Sequence, residues 1–90
     1  MLLAFTEFGR RLHENASAGT DHGTASPVIL VGPRVRPGVH GPNPNLRDLV
    51  DGDPQHAIDF RRVYATVLDQ WLGCPSEPVL GGRFERLPVI

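Results

Sequence analysis

The sequence is poor in the features that usually announce a function. It has a single cysteine, Cys74, so no disulfide can form within the chain. It has no lysine: all nine basic residues are arginine, against ten acidic ones, for a formal net charge of -1. That balance lacks the electrostatic footprint of a nucleic-acid binder or of a protein drawn to an anionic membrane. Aromatic residues make up 7% of the chain, too few for an interleaved basic and aromatic surface of the kind that stacks bases. No apolar run reaches the length of a membrane span. The opening MLLAFTEFGRR lacks a charged start and a small-residue cleavage site, so it does not read as a signal peptide. There is no phosphate-binding glycine loop, no serine nucleophile elbow and no paired cysteine motif.

What is present is glycine and proline, 10 and 9 of 90 residues. This content falls short of low complexity and predicts a folded, loop-rich chain. A chain of this length buries only a modest core. Leu2–Thr6 is an apolar run, and Ser26–Gly32 (SPVILVG) is a second one bounded by Pro and Gly. Such runs read as strands buried on both faces, the pattern of parallel sheets. Between them the spacing predicts a loop of roughly twenty residues, of the length that usually carries function or disorder. PRVRPGVHGPNPN, from Pro33, is irregular by its proline content. Phe60, Val63, Tyr64, Val67, Leu68, Trp71 and Leu72 fall on one face of an amphipathic helix. Asp59 suits its N-cap and Gly73 the position past its end, with Pro75 beyond. The expected helix is Asp59–Leu72, with the Phe60, Val63, Val67, Leu68 and Trp71 face buried. The tail VLGGRFERLPVI reads as a short strand or extended segment.

GTDHG, Gly19–Gly23, is the stretch with the most chemistry. Glu7 stands just past the first apolar run. Asp21 and His22 lie on the segment that leaves the same end, where ligands bind in open α/β sheets. A carboxylate and an imidazole brought together this way form a partial shell for zinc, manganese or iron. Arg10 and Arg11 could face an anionic substrate. The bland alternatives are an Asx turn at Asp21, a solvated His22, and an ion pair between Glu7 and Arg10 or Arg11. His13, His40 and His56 read as surface or turn residues, and Cys74 as an incidental thiol.

TEFGRR, GTDHG, SPVILVG, VHGPNPNLRDLVDGD, IDFRRVYATVLDQWLG and the closing LGGRFERLPVI together resemble the C-terminal part of a bacterial sulfatase-like family of unknown function in the alkaline phosphatase superfamily. The resemblance covers nearly the whole chain. It implies an α/β fold, namely the C-terminal edge of a doubly wound alkaline-phosphatase-like sandwich: two short parallel strands plus one amphipathic helix, loop-rich, with residues 1–90 as a single partial domain. It implies a fragment of a metal-dependent hydrolase acting on sulfate or phosphate esters, inactive alone because the nucleophile lies in the other half. The alternative is a non-catalytic remnant or small interaction module. By the resemblance, Glu7, Asp21 and His22 are metal ligands, with Asp21 either a ligand or the group that orients His22, and Arg10 binds substrate. Phe8 replaces a ligand there. The implied cofactor is a divalent metal such as zinc, manganese or calcium. The implied partner is the missing N-terminal half of the domain, or a second copy through self-association, with neither nucleic acid nor membrane involved. Family members are often exported.

Overall fold

The computed structural model describes all 90 residues. The chain is a mixture of short strands and short helices, divided into two compact units: Met1–Gly32 with Gly41–Ala57, and Pro33–His40 with Ile58–Ile90.

The first unit contains six strands: β1 (Leu2–Ala4), β2 (Gly9–Glu14), β3 (Thr20–Gly23), β4 (Ile29–Val31), β5 (Leu49–Val50) and β6 (Asp53–Pro54). They form three two-stranded sheets, β1 with β4, β2 with β3, and β5 with β6. The two apolar runs thus do become strands, but they pair antiparallel, with Leu2 opposite Val31, Leu3 opposite Leu30 and Ala4 opposite Ile29. This corrects the expected parallel pair, and no doubly wound sheet is formed. A parallel pair needs a crossover, usually a helix. The residues between these runs form instead a hairpin, β2–β3, which returns the chain in the opposite direction. The long loop expected there is largely that hairpin.

Cross-strand partners share a face. Leu2, Ala4, Ile29 and Val31 therefore line one face of the β1–β4 ribbon, and all four are exposed, whereas Leu3 and Leu30 are half-buried. Expected burial on both faces is not found. Gly9 is the one buried residue of the first unit. An added Cβ at Gly9 would run into the backbone of Ala25, so only glycine allows this approach.

The second unit is helical. Helix α1 spans Phe60–Thr66, continues as a π-helical turn over Val67–Trp71, and is followed by α2 (Ser76–Leu80). Asp59 caps α1 by accepting the Arg61 amide at 2.9 Å. The helix ends at Leu72, whose amide donates to the Val67 carbonyl at 3.0 Å, and Gly73 turns away with a φ of +62°. Both ends lie where the sequence puts them.

The buried face matches the expected one only in part. Val63, Ala65 and Thr66 are buried, at 7%, 0% and 0% exposure, while Phe60 is 59% exposed. Val67, Leu68 and Trp71 are half-buried. The C-terminal tail meets the helix at Arg62 and Thr66. Arg62 Nε donates to the Glu85 carbonyl at 3.0 Å, and Leu87 donates its amide to Thr66 Oγ1 at 2.8 Å. Ser76, at the start of α2, gives its amide and its hydroxyl to the two oxygens of Asp69, at 2.8 and 3.1 Å. Arg62, Thr66 and Asp69 are polar, and these hydrogen bonds offset the cost of covering them.

Candidate functional site

GTDHG is a strand rather than a loop. Thr20–Gly23 is β3, and it pairs with β2 so that Gly9 faces Gly23 and Arg10 faces His22. Glu14 faces Thr20, so three residues of β2 stand against one of β3 between those pairs, and the ribbon bulges there. The connection is built by Asn15. Its Oδ1 accepts the amides of Ser17 and Gly19 at 2.9 and 3.1 Å, and its own amide donates to the Gly19 carbonyl at 2.7 Å. Asn side chains commonly fold turns in this way.

The ribbon brings some of the expected site residues together and separates others. Arg10 and His22 stand directly opposite each other, and both are exposed. Arg10 Nη1 donates to the Thr20 carbonyl at 2.7 Å, which lays the guanidinium along β3. The His22 ring lies against the Phe8 ring, with centroids 4.6 Å apart and planes tilted by 35°. Asp21 is adjacent to His22 on a strand, and successive strand side chains leave on opposite faces. Asp21 Oδ1 accepts from Asn15 Nδ2 at 3.0 Å, so its carboxylate is engaged with the turn. Glu7 is exposed and precedes Phe8, the residue that touches His22. The two side-chain ion pairs of the chain are Arg61–Asp59 and Arg62–Glu85, so Glu7 is not held by Arg10 or Arg11. Arg11 donates instead to the Asp51 carbonyl.

Against a divalent metal the donor set is short. No three or more His, Cys, Asp or Glu side chains converge, and a zinc site takes at least three protein ligands. Glu7, Asp21 and His22 do not by themselves fit a complete metal shell. Sequence reasoning missed Phe8 as a neighbour of His22 and Asn15 as the organiser of the turn. The Asn-x-Ser spacing before Gly19 was the available signal for the second.

No helix of the chain is long and apolar enough to cross a membrane. A small mixed strand-and-helix chain with one polar hairpin is the class that fold and site define. The family described as "Protein of unknown function (DUF1501)" matches residues 1–81, and the chain belongs to it. No curated protein matches the chain, and no solved structure does.

Proposed function

We propose that this chain is part of a sulfatase-like, metal-dependent hydrolase acting on sulfate or phosphate esters, with an alkaline-phosphatase-like ancestry. In this reading it contributes a partial site and is inactive alone. The observation that supports it best is the pairing of Arg10 with His22 on one exposed ribbon. A guanidinium fork suits the oxygens of a sulfate or phosphate group. An imidazole is a common metal ligand, and a metal would supply Lewis-acid activation of the ester. His22 and Glu7 are the donors this chain would offer, and Asp21, held by Asn15, would steady the strand that carries His22. The remaining ligands would come from further protein, either the N-terminal half of the domain or a second copy. The first unit buries only Gly9, and two-stranded ribbons are marginal without more sheet or a covering layer, which favours such a partner.

The short donor set favours the second reading, a non-catalytic remnant or small interaction module. Calorimetric titration with zinc and manganese separates them. The hydrolase reading expects weak binding that is lost in His22→Ala. Binding left unchanged by His22→Ala, or no binding at millimolar metal, would favour the module.

A further inference from the structure

Asp53 and Pro54 form β6, which pairs back onto β5 with Val50 opposite Asp53. The connecting residues Asp51 and Gly52 both have positive φ, at 51° and 81°, the backbone of a tight type I′ turn. Arg11, on β2, donates to the Asp51 carbonyl and so holds the turn against the hairpin. Asp53 reaches the hairpin at Gly23, where an added Cβ would lie 2.5 Å from Asp53 Oδ1. That oxygen is buried and has no hydrogen-bond partner, and Asp53 takes part in no ion pair. A carboxylate oxygen stripped of water with no donor in its place is costly to hold, and it is a stronger nucleophile for the same reason. The bond that follows Asp53 is also particular. Pro54 carries no N–H, so the usual side reaction of aspartate, attack of the next amide nitrogen on the side-chain carbon, is closed here. What stays within reach of the Asp53 carboxylate is its own main-chain carbonyl carbon, through a succinic anhydride ring.

We propose that Asp53–Pro54 is a self-cleaving peptide bond, cut by the Asp53 carboxylate. A carboxylate oxygen forms a bond to the Asp53 carbonyl carbon, and the bond from that carbon to the Pro54 nitrogen breaks. The nitrogen keeps the electron pair, takes a proton from solvent and leaves as a free secondary amine. Water then opens the anhydride and restores both carboxyl groups on Asp53, now the last residue of its fragment. The net change is the hydrolysis of one peptide bond by one water. Nucleophile and target belong to the same residue, and a side chain already fixed against Gly23 has less freedom to lose on the way to reaction. The cut separates β5 from β6. It stands apart from the hydrolase reading, because neither a metal nor Arg10 nor His22 takes part.

Mass spectrometry under denaturing conditions, on the full chain held with a chelator at about pH 5, where carboxylates as a class are mostly ionised, tests the cut. It should show the fragments Met1–Asp53 and Pro54–Ile90 accumulating together. The folded chain should cut roughly tenfold or more faster than the same chain unfolded in urea at that pH, because only the fold strips and fixes the carboxylate. Equal or slower cutting in the folded chain would leave only the intrinsic acid lability of an aspartyl-prolyl bond and would overturn the proposal, as would an absence of fragments. Asp53→Glu keeps the charge but must close a larger ring, so it should cut roughly tenfold or more slowly, with circular dichroism showing that it folds as wild type does. Asp53→Ala should give no fragments. The same two fragments from Asp53→Ala at the wild-type rate would assign the cut to something other than this side chain and overturn the mechanism.

Discussion

Thr66 and Leu87 share one hydroxyl. Oγ1 of Thr66 donates to the Arg62 carbonyl at 2.7 Å and accepts the Leu87 amide at 2.8 Å. Thr66 is fully buried, so both bonds lie where water cannot replace them.

Thr66→Val keeps the shape of the side chain and removes both bonds. It leaves the Leu87 amide without its acceptor, at a cost of about 1–3 kcal/mol. Urea unfolding followed by Trp71 fluorescence should show a lower midpoint with an unchanged slope. A midpoint equal to wild type would mean that the tail does not depend on this hydroxyl.

Asp69 holds the start of α2 through the amide and hydroxyl of Ser76. Asp69→Ala should destabilise the second unit by about 1–3 kcal/mol, because the buried Ser76 amide loses its acceptor. Ser76→Ala should cost less, because the Ser76 amide keeps its acceptor. The reverse order in thermal melts would contradict this division of roles.

Asp59 caps α1 and also binds its own first-turn arginine, with Arg61 Nη2 at 2.6 Å. Asp59→Asn should retain most of the cap, whereas Asp59→Ala should lose about 1 kcal/mol. Helical circular dichroism across a temperature ramp distinguishes the two. Equal loss in both would assign the effect to the ion pair instead.

Gly9 and Gly23 face each other across the hairpin. A Cβ on Gly23 would lie 2.5 Å from Asp53 Oδ1 and 2.9 Å from the Arg10 carbonyl carbon. Gly23→Ala should therefore cost about 1–3 kcal/mol through overpacking, and Gly9→Ala should be at least as damaging. At Gly19 the nearest contact of an added Cβ is an ordinary 3.9 Å, so Gly19→Ala is the control expected to be mild. Hairpin nuclear Overhauser contacts that survive unchanged in Gly9→Ala would refute the close approach to Ala25.

Helix α1 was legible in the sequence because its two ends carry local chemistry, the Asp59 cap and the Gly73 turn, and because seven apolar residues share a period. Its buried side was legible only in part: Val63 is buried as expected and Val67, Leu68 and Trp71 are half-buried, but Phe60 is exposed and Ala65 and Thr66 are buried instead. The rest depends on contacts with residues seven to 23 positions further on, made by Arg62, Thr66 and Asp69 through hydrogen bonds that hydropathy does not register. The apolar runs at Leu2 and Ile29 were readable as strands, but the direction of their pairing depends on what the intervening chain does. GTDHG looked like a loop because glycine and aspartate disfavour strands, and partnership with Gly9 and Arg10 overrides that preference. The opposition of Arg10 and His22 required the register of the hairpin, which a bulge displaces. The separation of Asp21 from His22 follows from strand alternation once β3 is known.

The π-helical turn at Val67–Trp71 has a consequence for kinship within the family. A π turn closes its bond from residue i to i+5, one residue more than the α turn it replaces, as the Leu72 amide does with the Val67 carbonyl. A relative with a one-residue gap in this stretch would wind as an unbroken α-helix and still keep the Asp59 end and the Gly73 exit. Sequences aligned without that gap would match Trp71 to the wrong neighbour, and the mismatch would be invisible to similarity scores.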